Sequence, residues 1–211
     1  MKNSPFALTR PGRWSRQGGL LLLIACAILT LMAARRPPAE STGIAGWVVV
    51  QKSPNDDDTA TIQAAIDAVA QTGGVVFFPA GTYRHTGLTG RANVHLQGVH
   101  PASVQLDYTP KNGDGITLVT DPDNFMVSNL SLISSGRTDG WGIRGELGTQ
   151  RSLSIERVRI TGFENGILLA NALGISIREC RIGHTYPQNP RGIGLKFGDG
   201  RNLGGNGVTV A

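Results

Sequence analysis

Residues able to do chemistry are few in this chain and lie far apart. Four of them share a position rather than a neighbourhood. Asp114, Trp141, Asn165 and Arg191 each precede a Gly-Ile pair. An acid, an indole, an amide and a guanidinium set along one edge would form an aromatic platform with polar neighbours, a surface on which a sugar ring stacks and hydrogen-bonds. These four are therefore candidate carbohydrate-binding residues. Trp141 leads them, because a tryptophan exposed at a turn presents a large apolar face. The acids Asp114, Asp139, Glu146, Glu164 and Asp199 and the bases Arg144 and Arg191 are otherwise scattered among turn residues. Asp139 and Glu164 are the candidates for acid–base roles. Asp56-Asp57-Asp58 is a dense acidic run, but no second ligand cluster accompanies it. It reads as solvated helix-start acids, and no metal site is expected. Cys26 and Cys180 are the only cysteines. With Cys26 in the leader, Cys180 has no partner for an internal disulfide and reads as a small core residue.

The elements that must position these residues begin with Asn55–Tyr83. Asp58 or Thr59 caps a helix by accepting free N–H groups, with Asp56 and Asp57 at the positive end of its dipole. Ile62, Ala65, Ile66 and Val69 recur at helical spacing and form one apolar face. Gly73-Gly74 stops the helix. Val75-Val76-Phe77-Phe78 is continuously apolar, as in a strand buried on both faces. Pro79-Ala80-Gly81 then turns the chain. Trp47–Val50, upstream, reads as a short apolar strand.

Beyond Tyr83 the chain repeats about every 25 residues. The isoleucines of the Gly-Ile series are Ile116, Ile143, Ile167 and Ile193. Between them fall alternating apolar pairs: Phe125/Val127, Leu153/Ile155 and Ile175/Ile177, then Leu130/Leu132, Val158/Ile160 and Cys180/Ile182. The step from each first pair to its second is odd, so a straight strand would send one pair to solvent. Bends at Ser128-Asn129, Glu156-Arg157 and Arg178-Glu179 keep both pairs inside. Fixed periods of this kind signal a solenoid. Glycine before each isoleucine allows positive φ or a close backbone approach. Terminal units of a solenoid need capping, and the helix is placed to cover the N-terminal end. His184–Arg191 is expected as a loop inserted on one face.

The segment DDTATIQAAIDAVAQTGGVVFFPAGTY resembles the N-terminal signature of the pectate-lyase-like superfamily. It is most similar to the rhamnogalacturonase/epimerase-type domain shared by polygalacturonases and phage tailspikes. The resemblance implies an all-β fold, a right-handed parallel β-helix with an N-terminal capping helix. It also implies a polysaccharide partner outside the cytoplasm, and a pectinase-like glycoside hydrolase or lyase acting on acidic polysaccharide. The alternative is a non-catalytic polysaccharide-binding or structural β-helix lacking the catalytic rungs. The hydrolase motifs of that family are Asn-Thr-Asp, Asp-Asp and Gly-His-Gly. Arg137-Thr138-Asp139-Gly140 only partly matches the first, and Gly183-His184-Thr185 is a fragment of the last. No cofactor is expected, apart from Ca2+ if the chemistry is that of a lyase.

Charge places the remaining limits. The sequence pI is near 9.7, which by itself suggests nucleic acid. Yet residues 1–36 hold six basic and no acidic residues, leaving 14 basic against 15 acidic in 37–211. The basic balance belongs to the leader, and no nucleic-acid partner is expected. Residues 1–36 read as a signal peptide or as a membrane anchor through residues 18–34, and both mean export with the folded part outside the cytoplasm. Residues 37–46 read as a linker. Residues 47–211 read as the β-helix domain, incomplete at the C-terminus. Val208–Ala211 starts another strand and then stops, which implies a truncated member or a homo-oligomer covering the open end.

Overall fold

The computed structural model describes residues 46–183, 192–198, 205–207 and 209–211. The leader, most of the linker, the 184–191 insertion, Asp199 and Cys26 lie outside them. Among the described residues no helix is long and apolar enough to cross a membrane.

A short strand β1 (Trp47–Val49) leads into one helix, α1 (Thr59–Ala70). The chain then coils into successive turns of a parallel solenoid. The first holds β2 (Gly74–Phe78), β3 (Gly81–His85) and β4 (Leu88–Gly90). The second holds β5 (Val94–Gly98), β6 (Val104–Tyr108) and β7 (Ile116–Leu118). The third holds β8 (Met126–Ser134), β9 (Trp141–Gly145) and β10 (Gln150–Arg151). The fourth holds β11 (Ser154–Thr161), β12 (Asn165–Leu169) and β13 (Ala172–Leu173). The fifth holds β14 (Ser176–Arg178), β15 (Arg181–Gly183), β16 (Leu195–Phe197) and β17 (Gly205–Asn206). β18 (Thr209–Val210) begins the next. All pairings are parallel and join equivalent strands of adjacent turns: β1-β2-β5-β8-β11-β14-β18, β3-β6-β8-β11-β15, β4-β7-β9-β12-β16 and β10-β13-β17.

Apolar ladders explain why this register holds. Val76, Leu96, Val127, Ile155 and Ile177 stack in one row. Leu88, Ile116, Ile143, Ile167 and Leu195 stack in another. The first four members of each row are buried, and each such side chain contributes about 1.5–3 kcal/mol. A one-residue slip would turn a whole row outward.

The expected bends are present. Asn129, Arg157 and Glu179 adopt left-handed backbone with φ of 56°, 50° and 52°. β8 and β11 therefore continue through a corner while Leu130, Leu132, Val158 and Ile160 stay buried. At Gly115, Gly142 and Gly166 the reason for glycine is close approach, since none of them has positive φ. A Cβ on Gly142 would sit 2.5 Å from Ile160 Cγ2 and 3.0 Å from the Gly166 carbonyl.

Two expectations change. Val75–Phe78 is not buried on both faces: Val76 and Phe78 face the core, while Val75 and Phe77 are half-buried. Trp47 packs beside Phe77 on that outer side, with ring centroids 6.0 Å apart. Nor does Asp58 cap the helix with its side chain. Its Oδ1 accepts from Ser53 N (2.7 Å) and its Oδ2 from Arg84 N (3.0 Å). Asp57 takes the helix start, accepting from Thr59 N at 2.9 Å.

The helix closes the N-terminal end as expected, burying Ile62, Ala65, Ile66 and Val69. It also satisfies a strand edge. The Gln63 amide donates to Thr89 O (3.2 Å) and accepts from Thr89 N (2.8 Å), so a side chain stands where a further strand would pair with β4. Asp67 then holds Arg91. The signature segment is an end cap, and its acids are bonded to it.

Candidate functional site

The β4-β7-β9-β12-β16 sheet carries the Gly-Ile series, and its outer row is the candidate site. Ile116, Ile143, Ile167 and Leu195 form the inner row, so the alternate residues Thr89, Thr117, Arg144, Leu168 and Lys196 form the outer one in register, with Leu168 covered at 3% exposure between Arg144 and Lys196. Rungs of such a sheet lie about 4.8 Å apart. A ligand of a few sugar units along the axis would cross several of them.

Asp114, Trp141 and Asn165 stack at the entry to this sheet. Trp141 is in register with Asn165, and Asp114 precedes Gly115, whose N–H donates to Trp141 O at 2.9 Å. Two of them act as rung-to-rung clamps. Asp114 Oδ1 accepts from Trp141 N (2.8 Å), and Asn165 Oδ1 accepts from Ile193 N (3.0 Å). Trp141 is half-buried rather than fully exposed. The fourth member of the column is corrected. Leu195, not Ile193, lies in register with Ile167, and Gly166 N donates to Ile193 O. Ile193 therefore occupies the slot assigned to Arg191, which lies outside the described residues. The physical reason is the Gly192-Ile193-Gly194-Leu195 run, which offers two Gly-aliphatic pairs. The core takes Leu195, and Ile193 is left 41% exposed.

Around Arg144 the fold adds Asp114, 30 residues upstream, to the sequence neighbour Glu146. Its Nη1 reaches Asp114 Oδ2 (3.1 Å), and its Nη2 and Nε reach Glu146 Oε2 (2.5 and 3.1 Å). Desolvation works against the Arg144 charge, but the hydrogen bonds to Glu146 and Asp114 outweigh it and raise its pKa above that of a free arginine. Asp114 is the more enclosed acid, its side chain 11% exposed against 45% for Glu146. Two carboxylates and one guanidinium together can accept from and donate to the hydroxyls of a sugar. Arg144→Gln would leave Asp114 enclosed without its cation. We expect a fall in melting temperature of about 3–6 °C for roughly 1.5 kcal/mol, measured by thermal unfolding; an unchanged midpoint would show the cluster is not structural.

The acid–base candidates separate. Glu164 lines a cleft of about 230 Å³ with Phe163, Asn165, Ile182 and Ile193. Asp139 is exposed on the loop before β9 and is not part of that lining. Among the described residues no three His, Cys, Asp or Glu side chains converge on a metal position. Asp56, Asp57 and Asp58 point to three different partners, Arg84, Thr59 and the Ser53/Arg84 backbone. Cys180 is half-buried, its Sγ 3.4 Å from Ile155 O and 3.2 Å from Arg178 O. Burial pushes its thiol pKa up, which fits an unreactive packing role.

A parallel solenoid with a helical end cap and a polar outer row defines the class of protein. Residues 54–123 match the family model described as rhamnogalacturonase A/epimerase, pectate lyase-like. The parallel β-helix of the described residues agrees with that match. Among curated proteins the chain is similar to mannuronan C5-epimerase AlgE2 of Azotobacter vinelandii, 37% identical over 127 residues, covering 49% of this chain and 13% of the relative. It is also similar to mannuronan C5-epimerase AlgE6 of the same organism, 33% identical over 172 residues, covering 63% of this chain and 20% of the relative. Among solved structures, the A-module of Azotobacter vinelandii mannuronan C-5 epimerase AlgE4 superposes with a TM-score of 0.52 and 26% identity, covering 60% of this chain and 41% of that one. The chain thus matches only a minor part of each relative.

Proposed function

We propose that this β-helix binds an acidic polysaccharide of the polyuronate class along the outer row of the β4-β7-β9-β12-β16 sheet. The observation that carries the reading is the Asp114–Arg144–Glu146 network beside Trp141, flanked in register by Thr89, Thr117 and Lys196. Hydroxyl-bearing and charged side chains in one row, with the Trp141 backbone tied to Asp114, suit sugar rings laid across rungs. The relatives, named as mannuronan C5-epimerases, support a uronate polymer as the ligand.

They also favour a second, catalytic reading. Epimerisation removes and returns the proton next to a carboxylate, and needs a base, an acid and a cation facing the sugar acid. Hydrolysis would need one free carboxylic acid and a second carboxylate, whereas Asp114 and Glu146 are both engaged by Arg144. A lyase reading adds a Ca2+ requirement. One experiment separates these. The full chain is run through gels containing polymannuronate, polygalacturonate or neutral dextran. The same mixtures are read by proton NMR for inverted C5, by absorbance for unsaturated ends with and without Ca2+, and by reducing-end assay. Retardation by polyuronate and not dextran is expected, with Trp141→Ala weakening it about tenfold, or about 1.4 kcal/mol. Equal mobility in all three gels would remove the binding reading, and product in any assay would select the chemistry.

A further inference from the structure

The outer side of the β3-β6-β8-β11-β15 arm carries an arrangement that the site above does not use. Thr82, Gln105, Ser131, Arg159 and Arg181 stand in register from turn to turn on its outer side, with Ser131 covered at 2% exposure. Arg159 and Arg181 are direct rung neighbours, both exposed, with backbones about 4.8 Å apart. Like charges set opposite each other in a sheet repel. The acids nearby are engaged elsewhere: Glu156 holds Arg157 at 2.6 Å, Glu179 lies 4.0 Å from that same guanidinium, and buried Asp107 accepts from Ser135 N at 3.0 Å. Among the described residues neither Arg159 nor Arg181 has an ion pair. The row also has a wall. Ser131 Oγ donates to Pro101 O at 2.6 Å, fixing the turn around His100 beside these arginines. Between that turn and Arg157, Arg159 and Arg181 lies a cleft of about 240 Å³, with Glu179 on the side towards Arg157 as its one acid.

We propose that this arm is a second docking surface, at which Arg159 and Arg181 hold successive carboxylates of an acidic polysaccharide laid across the rungs. A polyuronate carries one carboxylate per sugar, and one sugar's length is of the order of the rung rise of about 4.8 Å, so the two guanidinium groups and the two acid groups repeat together. Beyond the covered Ser131, Gln105 and Thr82 offer neutral hydrogen-bonding groups suited to hydroxyls. A nucleic acid fits less well, because the row offers no aromatic ring for base stacking. The proposal shares only the ligand class with the reading above, and its residues lie on a different arm.

The test uses the full chain, Arg159→Gln/Arg181→Gln and Arg144→Gln, in gels containing polymannuronate at low and moderate salt. The double variant is expected to bind about tenfold more weakly, with a shallower salt dependence, because fewer counterions are released. Its melting temperature without ligand is expected to be equal or higher, since the repulsion is relieved, which separates lost binding from lost fold. Unchanged affinity in the double variant overturns the proposal, even if Arg144→Gln weakens binding and so supports the first surface. Weakening in the double variant but not in Arg144→Gln supports this surface while removing the first. Wild-type chain that no polyuronate retards overturns it, and so does a single-stranded oligonucleotide that competes equally at matched charge.

Discussion

Replacing Asp58 by alanine is expected to cost about 3 kcal/mol, although the residue makes no side-chain helix cap. Asp58 is 2% exposed. Its two carboxyl oxygens accept from Ser53 N and Arg84 N. Its own backbone N–H donates to Arg84 O, and its C=O accepts from Ile62 N. One residue therefore joins the segment after β1, the start of α1 and the middle of β3. Alanine leaves two part-buried N–H groups without their acceptors, at about 1.5 kcal/mol each, in the lower half of the usual range. At about 2–4 °C per kcal/mol for a chain of this size, the melting midpoint should fall by about 6–12 °C. Asp58→Asn should lose part of that, because its NH2 group must face one of the two N–H donors. Asp57→Ala, at the exposed helix start, should cost no more than about 1 kcal/mol. Calorimetry of the three variants orders them; equal effects for Asp57 and Asp58 would sink the clamp assignment.

Acid should destabilise the domain through His85. This imidazole is fully buried, with its ring 5.7 Å from that of Tyr108. Both ring nitrogens lack a hydrogen-bond partner. Burial lowers its pKa from 6.5 to about 4, and the charge of Asp57 offsets this only in part. The folded state thus holds neutral histidine where the unfolded chain takes up a proton. Stability is complete above pH 6.5, declines as pH falls from 6.5 towards 4, and levels off below. The loss is about 3 kcal/mol, at about 1.4 kcal/mol per pH unit. His95, whose pKa burial also lowers, adds to the same window, so the informative quantity is a difference. His85→Leu should be at least as stable as wild type at pH 8, because it removes two unpaired polar atoms from the core. Its denaturant midpoint should then change much less between pH 7 and pH 4.5. Parallel pH curves for the two proteins would refute the buried-histidine account.

The two residues also show how the sequence encodes the fold. Period and parity were legible: the odd step from Ile155 to Val158 demands a bend, and Arg157 takes it with φ of 50°. The aliphatic ladders were legible because each turn must bury the same face as its neighbour. The short last strands β10 and β13 of their turns were not, being two residues long and without a repeating apolar pattern. Asp58 read as a helix cap because a cap is the local partner of an acid before a helix. Its actual partner in β3, Arg84, lies 26 residues away.

For this protein the sequence alone determined that the chain coils into a capped parallel β-helix, because periodic burial and helix capping are local rules repeated turn after turn. It also placed Asp114, Trp141 and Asn165 on one edge. Only the tertiary structure decided what those residues touch. Gly194-Leu195 displaced Gly192-Ile193 from the ladder because the core could bury just one of the two pairs. Asp114 met Arg144 because the register of adjacent rungs brought side chains 30 residues apart within 3.1 Å. Arg159 and Arg181 became neighbours by that same register. Contacts between turns depend on where each rung lands on the one before it, which no single stretch of sequence states.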